Sequence, residues 1–234
     1  MIKEIRSNNP KFQKITFRSG FNVILADRER EKKKDDSKDT RNGAGKSTLV
    51  EIIHFCLGAS ASKNSPLKVD ELKTWFFSIV INIKEKDYVF TRYVDNSSRI
   101  YVEGDADALG FDVKYDKKQH MYYVGVAKFN EAMLPVMYNL NKSELRKYTP
   151  SFRELISYNI RRGIDGYRNA FEFFPKQKVY SIQGCNAYFL GLNLDYASQF
   201  QEIKDKTKGI GDYKKAANSG ILGKKKLNIG ELNT

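Results

Sequence analysis

The sequence contains few of the residues that build disulfide frameworks or zinc sites, with two cysteines and two histidines among 234 residues. Cys56 and Cys185 are far apart and lack metal-ligand spacing, so a structural zinc site is not expected. No apolar run approaches the roughly 18 residues that span a bilayer, and the charged segment 1–6 does not resemble a signal peptide. These absences predict a reduced, cytoplasmic protein that does not enter a membrane.

The composition indicates a folded chain with an excess of positive charge. Hydrophobic residues make up 41% of the sequence and aromatic residues 13%, which argues against global disorder. Lysine and arginine number 41 against 28 acidic residues, which gives a net charge of +13. Because each neutralised phosphate releases condensed counterions, this excess suits a polyanionic partner; a basic surface that serves solubility is the alternative.

The first quarter of the chain predicts a strand, a charged insert and a helix. Residues 15–17 favour a strand, and the mostly apolar run 21–26, which lacks alternation, favours a strand that is buried on both faces. Residues 27–40 are dense in charges of both signs and predict a mobile, exposed insert. Residues 46–57 predict a buried helix that ends at Gly58, in which His54 and Cys56 are expected to be packing residues.

The remaining patterns predict a meander followed by helices. Alternation over 75–103 predicts an antiparallel meander, and 127–140 predicts a helix that Pro135 interrupts or kinks. Ser151 and Glu154 have the spacing of a capping box. A further helix is expected over 188–203, followed by a lysine-rich tail. We therefore expect three parts, namely a nucleotide-binding lobe at 1–127, a helical lobe at 128–203, and a basic tail at 204–234 that is disordered or begins a coiled-coil arm.

Residues 42–48 form a glycine-rich turn between the predicted strand and helix. They are Asn42, Gly43, Ala44, Gly45, Lys46, Ser47 and Thr48. The glycines let backbone N–H groups approach phosphate oxygens, and the helix N-terminus adds its positive end. In such a loop the lysine contacts the β- and γ-phosphates, the serine hydroxyl holds Mg²⁺, and the threonine reaches the α-phosphate. The sequence therefore predicts a P-loop that binds ATP or a close relative, although Thr40 stands where the first glycine of the full pattern is expected.

Three segments together resemble the N-terminal head of SMC-type ATPases, a group that includes the SbcC-type DNA-repair ATPases and RecN. They are residues 20–24, 42–48 and 52–58. The insert before the P-loop, with segments 150–153 and 190–192, is similar to a little-characterised bacterial SMC-like family associated with genome maintenance or defence against mobile DNA. The resemblance implies an α/β P-loop fold of the ABC/SMC type with a mixed sheet, an antiparallel meander and a helical lobe.

The resemblance also implies further site residues and partners. Arg6 and Ser7 stand where these heads carry a short basic motif near the nucleotide, and Gln183 or Gln177 is a candidate for the magnesium-contacting glutamine. These heads dimerise around two ATP molecules with Mg²⁺. The signature motif and catalytic glutamate lie in a C-terminal head segment that is not found in this sequence, so we expect that segment in cis or in trans and poor hydrolysis by this chain alone.

DNA is the expected polyanion, because SMC-like heads bind it. The candidate phosphate contacts are Arg161, Arg162, Lys214 and Lys215. A stand-alone kinase with Arg161, Arg162 and Arg168 as its lid, a GTPase, and a module that senses nucleotide to control assembly remain alternatives.

Overall fold

The computed structural model describes residues 1–25, 46–61, 65–141 and 146–219. The chain divides into two compact units. The first contains Met1–Glu144 and Ser151–Gln177, and the second contains Leu145–Pro150 and Lys178–Thr234.

The first unit is built on an antiparallel sheet. Its strands are β1 (Ile2–Ser7), β2 (Ile15–Thr16), β3 (Phe76–Ile83), β4 (Lys86–Tyr93), β5 (Arg99–Glu103), β6 (Lys114–Asp116) and β7 (Met121–Gly125). They are arranged in the order β2-β1-β3-β4-β5-β7-β6. All pairings among the described residues are antiparallel, so any parallel part of the predicted mixed sheet lies outside them.

Five α-helices accompany the sheet in the described ranges. They are α1 (Lys46–Cys56), α2 (Val126–Tyr138), α3 (Phe152–Asn159), α4 (Val179–Phe189) and α5 (Leu194–Asn218). Short 3-10 turns occur at Asp70–Leu72, Asp107–Leu109 and Asp165–Tyr167. The first unit contains α1, α2 and α3, whereas α4 and α5 belong to the second. The predicted α/β fold is confirmed.

The meander follows from strict alternation of side chains. Ile79 of β3 faces Phe90 of β4, and Phe90 faces Val102 of β5, so apolar side chains gather on one face. Helices α1 and α2 pack against this part of the sheet. Phe90, Phe111 and Phe129 of α2 form an aromatic cluster with ring centroids 5.0 to 6.0 Å apart. The core of the first unit therefore lies between this face and the two helices.

The predicted buried strand at 21–26 is wrong over 21–25, and residue 26 lies outside the described residues. Residues 21–25 pair with no strand in the described ranges, and Phe21 and Leu25 are 94% and 84% exposed. A strand that is apolar on both faces needs a neighbour on each edge and cover above and below. The described residues supply neither, so the apolar sequence remains at the surface.

The helical predictions hold in part. Ser151 forms the expected capping box, since its side chain accepts from the Glu154 N–H while the Glu154 carboxylate accepts from the Ser151 N–H. Pro135 lies inside α2 without interrupting it. The single helix predicted at 188–203 is wrong, because Gly191 adopts a φ of +66° and Asn193 starts a new helix by accepting from the Asp195 N–H.

The predicted division into three parts differs from the observed one. Residues 128–144 and 151–177 belong to the first unit rather than to a separate helical lobe. Helix α5 crosses the predicted boundary at 203/204 without a break and continues to Asn218. The charged insert 27–40 and the tail beyond residue 219 lie outside the described residues.

Candidate nucleotide-binding site

Helix α1 begins at Lys46, within the glycine-rich segment 42–48. Ser47 is exposed and Thr48 is half-buried in its first turn, which contains no acidic residue. The free N–H groups and the positive end of the helix dipole are therefore not opposed by a local carboxylate. Asn42, Gly43, Ala44, Gly45 and the Lys46 side chain lie outside the described residues, so their predicted phosphate contacts stay predictions. An exposed Ser47 hydroxyl at this place suits a phosphate-bound Mg²⁺.

The opposite side of α1 is anchored in the core. Ile52, Phe55 and Cys56 are almost fully buried, and burial raises the pKa of the Cys56 thiol to about 12. The thiol is therefore a packing group, as predicted. Gly58 follows the helix with a φ of +78°, a conformation that L side chains rarely adopt, and an added Cβ would press against the Asn130 side chain of α2.

The C-terminal end of α1 is held by Arg92 of β4, a buried arginine that is 2% exposed. Its Nη1 atom donates to the carbonyl oxygens of Phe55 at 2.6 Å and Ala59 at 2.7 Å. Nε donates to the Ser97 carbonyl at 2.7 Å, and the guanidinium stacks on the Phe55 ring. The negative end of the helix dipole thus takes the place of a carboxylate partner. Desolvation lowers the pKa of Arg92 to about 10, so the guanidinium is still charged at neutral pH.

A second arginine holds the same end of α1 from helix α3. The Arg153 Nη1 atom donates to the Leu57 carbonyl at 2.7 Å, and Nη2 donates to the His54 Nδ1 atom at 2.7 Å. His54 Nε2 lies 2.7 Å from the Ile160 carbonyl, which can only accept. The imidazole therefore carries its proton on Nε2 and is neutral.

The electrostatics agree with this tautomer. Burial, and then the positive charges of Arg153 and Arg162, lower the pKa of His54 to about 3. His54 is a structural link between α1 and α3, as the packing prediction required. Arg162 adds an ion pair with Glu51 of α1 at 3.2 Å, next to a cavity of about 570 Å³ on the flank of the helix.

The two residues of the predicted basic motif lie on β1. Arg6 is exposed and pairs with Glu4 at 3.4 Å. The Ser7 hydroxyl donates to the Phe76 carbonyl at 2.8 Å, which ties β1 to β3. Arg6 is therefore open to solvent, whereas the Ser7 hydroxyl is engaged in the sheet.

Neither candidate glutamine lies at the end of a strand. Gln183 is exposed in the middle of α4, in the second unit, while Ser47 belongs to the first. The Gln177 amide is bound to the Tyr158 hydroxyl and to the Phe173 N–H. The magnesium contact of either glutamine therefore stays a prediction.

The four residues predicted to contact nucleic acid differ in how far their side chains are already bonded within the protein. The guanidinium of Arg161 donates to the carbonyls of Gly166, Asn169, Ala170 and Glu172. These hydrogen bonds hold the loop at 166–172, and the contact of Arg161 with phosphate stays a prediction. Arg162 is shared with Glu51, as above. Lys214 and Lys215 are exposed on α5.

Sequence reasoning missed Arg92 and Arg153 as supports of the site. Arg92 carried a usable signal, since it is a charged residue that follows the largely apolar segment 88–90 of its strand. Such a residue must find polar partners when the strand is buried. The partners, however, are carbonyls of a distant helix.

None of the helices in the described ranges is long and apolar enough to span a membrane. Within the same ranges, no cluster of three or more His, Cys, Asp or Glu could hold a metal ion. A P-loop magnesium site is not of that kind, because it uses one hydroxyl together with phosphate oxygens.

Comparison with known proteins gives one finding. The family model described as "AAA domain" matches residues 1–229. No curated protein and no solved structure matches the chain. The match covers nearly the whole chain, including the helix that follows the glycine-rich turn. The chain therefore belongs to the AAA domain family and is a P-loop ATPase domain of the SMC/ABC type.

Proposed function

We propose that this chain is the ATP-binding part of an SMC-like ATPase that couples ATP binding and hydrolysis to DNA binding, in genome maintenance or in defence against mobile DNA. The observation that carries the proposal is the contrast between the two ends of α1. Its first turn exposes Ser47 and contains no acidic residue, while its other end is fixed by the buried Arg92 and the half-buried Arg153. A rigid helix with an accessible positive end is what capture of a triphosphate requires.

A partner segment is part of this proposal. The apolar segment 21–25 is exposed, and strands from a C-terminal head segment would give it the pairing and cover that it lacks. Such a segment would also carry the acid that polarises water, since the first turn of α1 has none. We therefore propose that hydrolysis by this chain alone is weak, and that the completed head dimerises around two molecules of MgATP.

Helix α5 supports the proposal of a coiled-coil arm. Four of its large apolar side chains are exposed at spacings of four, three and seven residues, which is a heptad pattern with one polar position. They are Tyr196, Phe200, Ile203 and Ile210, while Tyr213 is also exposed but does not fit this spacing. Thr207 occupies the polar position. A second helix laid along this stripe would bury all four.

The hydrogen bonds of Arg161 argue against the alternative of a stand-alone kinase. A lid needs mobile arginines that reach phosphate, but the Arg161 guanidinium is held by four backbone carbonyls. Arg168 remains exposed and pairs with Asp165.

The coupling itself is tested by measuring DNA affinity of the full-length protein with and without a non-hydrolysable ATP analogue and Mg²⁺. Allosteric coupling of ordinary strength changes affinity by about 5- to 150-fold. We expect the analogue to increase DNA affinity within that range in the native protein and to have no effect in Lys46→Ala. DNA affinity that is the same with and without the analogue would show that this function is wrong.

A further inference from the structure

The face of the sheet that points away from α1 carries a row of aromatic rings. Phe77 and Arg92 face α1, so their neighbours Phe76 and Tyr93 point to the other side. Ring centroids are 5.0 Å apart for Phe76 and Tyr93, 5.2 Å for Tyr93 and Tyr101, and 5.9 Å for Tyr101 and Tyr123. The row thus crosses β3, β4, β5 and β7 and reaches the β6–β7 hairpin.

A cavity of about 560 Å³ opens at the hairpin end of this row. Its walls are Tyr93 and Tyr101, and its rim is polar, with three basic residues and one acidic residue. The rim residues are Asp95, Asn96, Arg99, Lys117, Lys118 and Gln119. The volume lies within the range of about 300–1,000 Å³ typical of small-molecule sites.

Asp116 builds the floor of the cavity and fixes its rim. Its side chain is 9% exposed, and Oδ2 accepts from Arg99 at 2.7 Å and from the Tyr101 hydroxyl at 2.8 Å. Oδ1 accepts from the Lys118 backbone N–H at 2.9 Å. These hydrogen bonds, first that of Tyr101, hold the pKa of Asp116 below its ordinary value, so the carboxylate remains ionised. The turn that carries the two lysines is therefore held against the sheet.

Three polar groups on the rim are available to bind a ligand. Lys117 and Lys118 are exposed and form no ion pair with any described residue. The Gln119 side-chain oxygen accepts from the Tyr93 hydroxyl at 2.9 Å, and its NH₂ group makes no hydrogen bond within the described ranges. An aromatic wall, a free amide and two adjacent free cations thus meet at one opening.

We propose that this cavity and the β6–β7 hairpin bind an unpaired nucleotide of a single-stranded nucleic acid. The base stacks on Tyr93 and meets the Gln119 amide, while Lys117 and Lys118 neutralise neighbouring phosphates. A duplex would not use the cavity, because its bases are already stacked and paired. The inference rests on the proposed DNA-linked function and assigns nucleic-acid contact to a surface of the first unit, remote in sequence from Arg161 and from α5.

The test is the affinity of this chain for fluorescent dT15, rU15 and a 15-base-pair duplex at several salt concentrations. The double variant Lys117→Ala/Lys118→Ala should bind single strands more weakly, with a log–log salt slope shallower by about 1.4, at about 0.7 for each phosphate contact. Tyr93→Leu keeps an apolar side chain but removes the ring, and should weaken single-strand binding by about 5-fold or more. The dT15 and rU15 arms distinguish DNA from RNA as the source of the nucleotide.

The control is Lys11→Ala/Lys73→Ala, which removes two exposed lysines elsewhere in the first unit and should leave the slope unchanged. MgATP affinity and the thermal midpoint verify that each variant is folded. Equal losses in the control and hairpin variants, or native affinity in the hairpin variants, would overturn the proposal. So would binding of the duplex alone; in that case ATP-dependent DNA binding, and with it the proposed function, would still stand.

Discussion

At the scale of single residues, His54 shows how the end of α1 opposite the candidate phosphate site is held in place. The buried guanidinium of Arg92 and the half-buried one of Arg153 lie against α1, and no described carboxylate forms an ion pair with either. Their charges are offset by carbonyl oxygens at the negative end of the helix. A third positive charge on His54 would be costly in these surroundings, and its Nδ1 lone pair is needed to accept from Arg153.

The lowered pKa of His54 predicts a specific loss of stability in acid. The unfolded chain takes up a proton below the ordinary value of 6.5, whereas the folded chain does so only near 3. The free energy of unfolding should therefore fall as pH decreases from 6.5, by about 2 kcal/mol down to pH 4.5 from this group. His54→Gln can keep both hydrogen bonds without titrating, so this component should disappear.

Urea unfolding at pH 6.5, 5.5 and 4.5 measures the effect. His120→Gln, which removes the other histidine from an exposed turn, is the matched control and should retain the native pH dependence. The same acid slope in the native protein and in His54→Gln would refute the interpretation.

At the scale of elements, α1 depends on α3 through Arg153. Replacing Arg153 with Met keeps an apolar stem but leaves the Leu57 carbonyl and the His54 Nδ1 atom without donors. Each unsatisfied buried group costs about 1–3 kcal/mol, so the variant with two such groups should lose about 2–6 kcal/mol of unfolding free energy. Chemical denaturation measures this loss.

Arg168→Met is the control for this variant. Arg168 makes an exposed ion pair with Asp165, so its replacement should cost less than about 1 kcal/mol. A similar cost for both substitutions would mean that Arg153 does not support α1.

The heptad stripe of α5 predicts self-association of the chain. Phe200→Ser/Ile203→Ser removes two exposed apolar side chains, and the weight-average mass at high concentration should fall toward the monomer. Because both residues are exposed, the unfolding free energy should change by less than about 0.5 kcal/mol for each.

Sedimentation velocity over a concentration series provides the measurement. Lys208→Ser/Asp212→Ser changes two exposed α5 residues off the stripe without altering net charge, and should leave association as it is. A native chain that is monomeric at every concentration would remove the argument for an arm that pairs through this stripe.

At the scale of the whole molecule, sequence reasoning succeeded where structure is local. The alternation of 75–103 predicted β3, β4 and β5, and the Ser151–Glu154 spacing predicted the start of α3. It failed where the outcome depends on distant partners. The segment 21–25 forms a strand only if neighbouring strands pair with it. The sequence alone does not reveal that the described residues contain no such strand.

In the candidate site, too, features set by a local motif were predicted and contacts between distant residues were not. The start of α1 at Lys46 follows from a contiguous motif. Arg92, however, is bound to carbonyls of Phe55 and Ala59, and nothing in the local pattern of β4 indicates these partners. The same applies to Asp116, whose partners Arg99 and Tyr101 come from another strand.

The most direct test of the account is a calorimetric titration of this chain with MgATP, compared with Lys46→Ala and with the exposed-lysine control Lys73→Ala. The account predicts saturable binding of one nucleotide to the native chain and to Lys73→Ala, and no measurable binding to Lys46→Ala. Equal MgATP affinity in Lys46→Ala and the native chain would contradict the central claim that the N-terminus of α1 binds the phosphates.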